Sequence, residues 1–347
     1  MGLKRIVIDM FAHAPAGWVQ ATRLRYRALR DLVKLCRAGL QDVRSYARHS
    51  GLFDHRGKGA QQARIIKSCH SIEKGLALRA PRPGFGQPAA GQLLAATGDY
   101  LQRFGTDHAL MSAAATLDEY LRFNADAGVE LPHIHASTAR LREALQHDEA
   151  GNGGCSTGGT REVTREAILR AARLDMDAFF RSRYSVRQFS AKPVDSALLE
   201  AAVRMAQKTP SVCNREAGRV YVIDDKAKAD RLLLLQNGNR GFGDQAGKLL
   251  VITARLDCFH TVGERHQSWI DGGLFAMSLI YALHSLGFGS CCLNWSVEPD
   301  ADHAFKAAAG IGEDQAVIML LAVGHLPERF RVAKSARRPL DDVLIHI

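Results

Sequence analysis

The stretch GGLFAMSLIYALHSLGFGSCCL, residues 272–293, contains no Asp, Glu, Lys or Arg, and it is long enough for a membrane-spanning helix. His284, several Ser and Gly residues, and the GFGS break near Leu286 argue against a span, because they interrupt the apolar run. The pattern favours a buried helix that runs into a glycine turn. It therefore points to the interior of a globular domain.

Short apolar runs of strand length surround this helix. RVYVI at 219–223 and KLLVIT at 248–253 precede it, and AVIMLLAV at 316–323 follows it. Helical segments separate the runs, and we predict them at 164–181, 196–207, 226–235, 268–286 and 301–309. This alternation predicts an α/β or α+β layer structure with a buried sheet.

Residues 1–146 have a different character, because apolar positions recur every three or four residues and no strand-like alternation occurs. We predict an all-α N-terminal region with helices at 16–47, 61–78, 91–104, 108–124 and 137–146. PHIHAS, residues 132–137, is interpreted as a short loop with two structural histidines. A glycine-rich linker follows at 147–162, so the predicted domains are 1–146 and 163–347.

The net charge of +10 belongs to the N-terminal segment. Residues 1–100 contain 17 Lys and Arg against 6 Asp and Glu, whereas residues 101–347 contain 29 against 30. The first predicted helix carries many of these cations, with Trp18 near its start, and it could lie on an anionic membrane surface. Packing against other helices or around a partner subunit is favoured, because one face has a regular apolar stripe: Tyr26, Leu29, Val33, Cys36, Leu40, Val43 and Tyr46.

Several other classes are disfavoured by the sequence. The basic residues are not interleaved with aromatics and no module signature occurs, which argues against nucleic acid binding. The HExxH and P-loop motifs are absent. The seven cysteines include no CxxC pair, and the N-terminus resembles no signal peptide, so we expect a reduced, cytoplasmic protein.

The segment RSRYSVRQF, residues 181–189, is the first candidate for a binding site. Arg183, Ser185 and Arg187 alternate, so in an extended chain they project to one side. Two guanidinium groups and a hydroxyl suit a phosphate monoester, whereas the alternative interpretation is a solvated basic turn.

Three further segments carry candidate groups. TPSVCNRE at 209–216 places hydrogen-bonding side chains in a loop after a helix, although a capping loop would look the same. LGFGSCCLN at 286–294 has two glycines that permit close approach of backbone to a ligand. KSARRPLDDV at 334–343 is a second basic cluster.

Taken in order, these four segments resemble the FMN-dependent nitroreductase family, from about residue 176 to the end, or half of the chain. The resemblance implies an α+β fold with a mixed sheet flanked by helices. It also implies an FMN site with the phosphate on the arginine motif, the loop at the flavin ring or ribityl chain, and backbone amides at the reactive edge. The residues so assigned are Arg183, Ser185, Arg187, Pro210, Ser211, Asn214, Gly289, Ser290, Arg337 and Arg338.

The resemblance further implies a function. A family member would be a homodimer with FMN at its interface, and it would transfer hydride from NADH or NADPH through flavin N5 to a small-molecule acceptor. The acceptor would be of nitroaromatic or quinone type, or a substrate from a polysaccharide pathway. The sequence identifies neither the physiological acceptor nor the preferred nicotinamide.

The loop departs from the family pattern, which motivates an alternative. Where the family has Asn-x-Gln-Pro-Trp, residues 214–218 read NREAG, without the proline and the aromatic residue. Arg215 is either a stabiliser of the flavin ring edge or a surface arginine. The alternative function is a flavin-binding module without turnover, acting in regulation or assembly of a surface-polysaccharide or membrane-associated complex.

CHSIEKGL at 69–76 is the most polar segment of the N-terminal region. With RPGFG at 82–86, it resembles a longer nitroreductase-like subgroup associated loosely with bacterial surface-polysaccharide gene clusters. His70 and Glu73 are three residues apart on a predicted helix and could reach one metal or substrate. A helix-surface pair or a buried, hydrogen-bonded histidine is favoured, so no metal site is predicted.

Overall fold

The computed structural model describes residues 16–53, 56–146 and 158–347. Helices occupy the N-terminal part, and a four-stranded sheet with its helices occupies the C-terminal part. Most of the predicted linker, residues 147–157, lies outside the described residues. Residues 158–160, which follow it, are held against the helices, because the backbone N–H of Gly159 donates to Glu73 at 3.0 Å.

The five predicted N-terminal helices are present, with one correction. The interpretation of PHIHAS as a loop is wrong, because Pro132 occupies the first position of a helix, where its missing N–H costs nothing, and His133 and His135 follow inside it. The helices are α1 (Ala16–His49), α2 (Lys58–Leu76), α3 (Gln87–Phe104), α4 (His108–Asp126) and α5 (Pro132–Gln146).

This helical region has a hydrophobic core of its own. Tyr100 and Tyr120 are fully buried in it, and each hydroxyl still has an acceptor: the Asp107 carboxylate and the Phe85 carbonyl, respectively. Asp107 also caps α4 by accepting from the N–H of Ala109 at 2.9 Å. Apolar residues of α2 to α5 complete the core, among them Ile65, Ile72, Leu93, Leu110, Leu117 and Leu141.

The C-terminal part alternates helices and strands, as predicted, with two corrections. The helix predicted at 164–181 is two short helices separated by residues 172–175. At the GFGS stretch, the sequence pattern predicts a glycine turn and no strand. Gly287, with φ 81°, does lie in a turn, but residues 288–294 form a strand. The elements are α6 (Arg165–Ala171), α7 (Met176–Ser182), α8 (Ser196–Ala206), β1 (Gly218–Ile223), α9 (Lys226–Leu233), β2 (Lys248–Arg255), α10 (Gln267–Ser285), β3 (Phe288–Asn294), α11 (Pro299–Ala309) and β4 (Gln315–His325).

The sheet has the order β1-β2-β4-β3, and all of its named strands pair antiparallel. A mixed sheet also requires parallel pairing. Here it is supplied by a parallel bridge between Ser185 and Ser290, which brings the segment after α7 to the free edge of β3. The predicted α+β class is confirmed.

Alternate residues of the strands face two hydrophobic layers. Leu249 and Val251 of β2 pack in the layer with α9 and α11, whereas Leu250 and Ile252 pack with α8 and α10. Helix α10, which holds most of the charge-free stretch, is thus a buried layer helix, as predicted, since Ala276, Leu279 and Leu283 have no exposed surface. Among the described residues, no helix combines the length and apolar character that a bilayer crossing requires.

Helix α1 differs from its prediction. Of the apolar stripe, only Tyr46 is buried, and its hydroxyl donates to the Thr261 carbonyl at 2.7 Å. The prediction that the whole stripe is packed is wrong within one chain, because residues such as Leu29 and Val43 are more than 60% exposed. Before Tyr46, α1 meets the sheet domain through exposed polar pairs with residues beside or in α11: Lys34–Glu298, Arg37–Asp300 and Gln41–His303.

A separate apolar cluster joins the helical region to the sheet domain. Tyr46 of α1 and Ala63 of α2 pack in it against Ala217, Ala254 and residues Cys258 and Phe259. All of these side chains are buried, so the junction is a packed contact. This contact fixes α2 beside the loop that precedes β1.

Candidate active site

The arginine motif runs as an extended segment along β3. The backbone N–H of Val186 donates to the carbonyl of Ser290 at 2.9 Å, and Val186 is buried. Its neighbours in the alternation remain accessible: Arg183 and Ser185 are half-buried, and Arg187 is exposed. The predicted one-sided arrangement of cations and hydroxyl is therefore compatible with the observed burial.

Gly289 is required by the close approach of this segment to β3. A Cβ atom on Gly289 would lie 2.9 Å from Cγ1 of Val186 and 2.8 Å from a methyl carbon of Leu326. No real Cβ tolerates such contacts, so a larger residue would push the arginine segment away. The structure thus brings Gly289 and Ser290 together with the motif at 183–187.

Arg183 and Arg187 are uncompensated cations in the described part of the chain. Neither has a carboxylate within 4.0 Å there, whereas the nearby Arg181 pairs with Asp177 at 2.6 Å. The Arg187 guanidinium lies 5.8 Å from the ring centroid of Phe242. Two unpaired guanidinium groups beside a serine hydroxyl fit an anion with several oxygens, such as a phosphate.

The loop at 209–216 is strained. Cys213, Asn214 and Glu216 have φ of 50°, 54° and 47°, which is left-handed backbone that residues other than glycine seldom adopt. The loop is held in this form by hydrogen bonds from the Val212 N–H to Asp271 (3.2 Å) and from the Glu216 N–H to the Ser211 hydroxyl (3.0 Å). Strain of this kind persists only where surrounding contacts impose it, and it concentrates at functional sites.

Arg215 anchors the loop from the inside. Its guanidinium is fully buried, pairs with Glu264, and donates to the carbonyls of Cys258 (2.7 Å) and Val212 (3.1 Å). The interpretation as a surface arginine is wrong, and these partners occupy the side chain that was a candidate for the flavin ring edge. Burial would raise the pKa of Glu264, but hydrogen bonds from Arg215 and from the His260 N–H outweigh it and lower the pKa to about 2.

The arginine segment and the loop lie at opposite ends of α10. Ser182, next to Arg183, contacts His284 near the C-terminal end of α10 (Oγ to Nε2, 2.9 Å), whereas the loop contacts Asp271 near its start. Thirteen residues of α-helix span about 20 Å. One chain therefore separates the predicted phosphate contacts from Pro210, Ser211 and Asn214.

The closing basic cluster is not brought to either end. Arg337 and Arg338 are exposed, and Arg337 donates to the carbonyl of Ser335 two residues away. The segment 334–347 is exposed throughout and contains only a short 3₁₀ turn at Leu340–Asp342. Arg337 and Arg338, which the resemblance assigns to the same FMN site as the motif at 183–187, thus make no contact with that motif that the structure of one chain shows.

Each end of α10 borders a cavity. The cavity at the arginine end is about 30 Å³ and is lined by Arg183, Gly289 and Ser290, among others. The cavity at the loop end is about 830 Å³ and lies between the loop and helices α2 and α4. Its helical wall includes the exposed His108 and the half-buried Met111, which the sequence did not single out, because neither has a distinctive local signal on an amphipathic helix.

The CHSIEKGL segment has a structural role in the helical region. Glu73 lies 3.9 Å from His70 and also accepts from Gly159 and from the Thr116 hydroxyl (3.2 Å), so it anchors the chain after the linker. Lys74 is exposed. Within the described residues, no group of His, Cys, Asp and Glu side chains could hold a metal ion.

The sequence profile described as the nitroreductase family matches residues 180–236 and 229–325. No curated protein matches the chain. Similar solved structures include a nitroreductase family protein from Streptococcus pneumoniae (18% identity, 50% of this chain and 100% of that one, TM-score 0.43) and an FMN-dependent nitroreductase from Clostridium difficile (22%, 50% and 98%, 0.42). Another, from Desulfovibrio desulfuricans, was solved in complex with FMN (18%, 50% and 98%, 0.44). The match to the nitroreductase family thus covers residues 180–325 of the C-terminal domain, and the N-terminal helical region lies outside it.

Proposed function

We propose that the protein is a flavin-dependent oxidoreductase that binds FMN and uses NADH or NADPH to reduce a small-molecule acceptor. The observation that carries this proposal is the uncompensated pair Arg183 and Arg187 beside Ser185 and the Gly289–Ser290 backbone. The match to the nitroreductase family supports the oxidoreductase class. FMN, when bound, would supply the hydride chemistry, and the side chains would bind and orient it.

At the phosphate, the two guanidinium groups would donate charge-assisted hydrogen bonds, and the Ser185 hydroxyl would add a neutral one. The segment is suited to this task because the buried Val186 and the Ser190 N–H, which donates to the His325 carbonyl at 2.9 Å, fix it on the sheet. A rigid scaffold lowers the entropy lost when the anion binds.

We further propose a homodimer in which each FMN lies between two copies of the chain. The support is the distance of about 20 Å along α10 between the arginine segment and the loop. In a two-fold dimer, the loop of one copy can approach the arginine segment of the other. The exposed C-terminal segment and the exposed stripe of α1 offer apolar surface for such a contact.

The test is the affinity for FMN of the double variant Arg183→Ala/Arg187→Ala. Each lost charge-assisted hydrogen bond costs about 1.5–3 kcal/mol, so we expect the affinity to fall about 100-fold or more. Arg181→Ala is the matched control, since Arg181 lies in the same segment but pairs with Asp177 in solvent. Unchanged FMN affinity in the double variant would refute the phosphate assignment.

A second candidate function is a flavin-binding module without turnover. It is favoured by Arg215, whose guanidinium is committed to Glu264 and to backbone carbonyls, so it would leave no free cation on that loop for the ring edge. Steady consumption of NADH or NADPH with a quinone or nitroaromatic acceptor excludes this alternative. Tight FMN binding without such consumption supports it.

A further inference from the structure

The cavity of about 830 Å³ at the loop end of α10 has two walls that belong to different regions of the chain. One wall is formed by the loop, β1 and α10 of the sheet domain, and the other by α2 and α4 of the helical region. Its volume is that of a site for a whole small molecule. Eight of the 25 residues that line the cavity thus come from a region outside the match to the nitroreductase family.

The cavity has an apolar body. Ile66 and Met111 line it from the helical region, and Val220 and Phe275 line it from the sheet domain. All four side chains are only half-buried, so each keeps apolar surface exposed toward solvent or the cavity. Such surface favours the flat, apolar face of a ring compound over a charged or fully hydrated ligand.

Polar groups also line this cavity. His108 comes from the helical region, and Ser211, Glu216 and Arg219 come from the sheet domain. Burial raises the pKa of Glu216, and the nearby charges of His108, Arg219 and Lys208 oppose this rise. His108 and Glu216 thus line the same cavity, although they belong to different regions of the chain.

The carboxylate of Glu216 is available to a ligand. Among the hydrogen bonds of the described residues, Glu216 takes part through its backbone N–H and C=O and not through its carboxylate. Its backbone is held at φ 47°, which is left-handed backbone that residues other than glycine seldom adopt.

The helical region is positioned firmly enough to act as a wall. It has a hydrophobic core of its own, formed by α2 to α5. It is nevertheless docked next to the cavity by the buried cluster that joins Tyr46 and Ala63 to Ala217, Cys258 and Phe259. Because α2 carries Ala63 of this cluster, Gln62 and Ile66 are fixed relative to the loop.

We propose that this cavity binds the electron acceptor, and that the helical region selects it through His108 and Met111. The ligand is a ring compound with hydrogen-bonding substituents: a carbonyl or nitro oxygen accepts from His108, an N–H or O–H substituent donates to the Glu216 carboxylate, and the ring lies against the apolar body. The inference rests on the proposed function in so far as this ligand is the acceptor. The helical region is then a specificity element of the enzyme.

The test uses the full-length protein with two ring compounds as probes: menadione, a naphthoquinone, and nitrofurazone, a nitroaromatic. His108→Ala removes a polar contact, and Met111→Trp fills the apolar body. Binding of each probe to the oxidised protein is measured by calorimetry, and the KM for each probe is measured with NADH and NADPH. We expect both variants to weaken binding and raise KM about tenfold or more, with FMN affinity unchanged.

The matched control is His135→Ala, an exposed histidine of α5 that does not line the cavity, and it is expected to bind both probes like the wild type. Equal probe binding by wild type and both cavity variants overturns the inference, and so does failure of the wild type to bind either probe. Circular dichroism checks the folding of each variant, and if Met111→Trp misfolds, His108→Ala alone decides. Absence of FMN binding refutes the proposed function instead, because the calorimetric measurement does not depend on turnover.

Discussion

The two ends of α10 carry the two halves of the candidate site, and they are built in opposite ways. At the C-terminal end, an open extended segment presents Arg183 and Arg187 without acidic partners among the described residues. At the N-terminal end, Arg215 has all of its charge compensated in the interior, and the loop around it is strained and covered by helices. The first end is suited to capture an anion, whereas the second shapes a cavity.

The difference shows what each end depends on. The arginine segment is held by its backbone on one strand edge, and its two guanidinium groups make no ion pair among the described residues. The loop needs side-chain contacts with Asp271 and Glu264, and it also contacts the helical region. A change of Arg183 or Arg187 should therefore alter binding and leave folding intact, while a change behind the loop should alter both.

The largest expected effect is restoration of activity on mixing two inactive variants. Arg183→Ala/Arg187→Ala removes one half of the site, and Ser211→Ala/Asn214→Ala removes the other. If each site combines the arginine end of one copy with the loop end of the second, a heterodimer has one intact site. After subunit exchange we expect about a quarter of wild-type NAD(P)H oxidation, as half of the dimers have one of two sites.

The control for this experiment is a mixture of each variant with itself, which should remain inactive. No recovery in the cross-mixture, under conditions where mass spectrometry detects heterodimers, would mean that both ends of the site come from the same copy. The distance along α10 would then have to be bridged by a rearrangement of the chain.

The next largest effect is on stability, and it concerns the loop end. Glu264→Gln leaves the buried Arg215 without its counter-ion. The pKa of Glu264 is about 2, against an ordinary value of 4.5, so the pair contributes about 3 kcal/mol to the free energy of unfolding at pH 7. Urea denaturation should detect a loss of this size.

The pH dependence of this loss follows from the direction of the shift. Because the pKa is lowered on folding, the stabilisation is fully present above pH 4.5 and disappears as the pH falls toward 2. Wild type and Glu264→Gln should thus converge in stability at low pH. Glu298→Gln is the matched control, since its ion pair with Lys34 is exposed and should contribute less than 1 kcal/mol. An equally small loss for Glu264→Gln would contradict the anchoring role of Arg215.

A smaller effect tests the fit of the arginine segment on β3. Gly289→Ala places a methyl group within 3 Å of Val186 and Leu326, so we expect a loss of about 1–3 kcal/mol in stability and weaker FMN binding. Gly98→Ala is the control: Gly98 lies in α3 with nothing within 4 Å of its would-be Cβ, and alanine there should add about 0.5–1 kcal/mol. A neutral Gly289→Ala variant would mean that the segment is not held closely against the strand.

The contrast between the two ends also explains what the sequence could predict. The alternation at 183–187 and the apolar runs at 219–223, 248–253 and 316–323 are local signals, and the structure confirms the strands. Strand β3 was not predicted, because FGSCCLN is poor in β-branched residues. It is a strand because it pairs with β4. The buried state of Arg215 depends on Glu264, a partner 49 residues away that no local pattern indicates.

The helical wall of the cavity escaped prediction for a related reason. His108 was assigned to a helix correctly, but nothing in the sequence of α4 indicates that the first turn lies beside Glu216. The apolar stripe of α1 shows the converse error, because a regular period predicts burial only where the fold supplies a second surface. Within one chain that surface is present for Tyr46 and absent for most of the stripe.

The prediction with the smallest effect concerns the alkylation rates of two cysteines, one toward each end of the site. Cys258, behind the loop, is buried, and burial raises its pKa to about 12, whereas Cys292 on β3 is exposed, although partial burial raises its pKa as well. With iodoacetamide at pH 8, Cys258 should react roughly a hundredfold more slowly than the exposed Cys36, and also more slowly than Cys292, because the thiolate is the reactive form. Peptide mass spectrometry measures the three rates in one sample. Similar rates for Cys258 and Cys36 would mean that the loop end opens in solution, and the contrast between an open arginine end and a closed loop end would no longer hold.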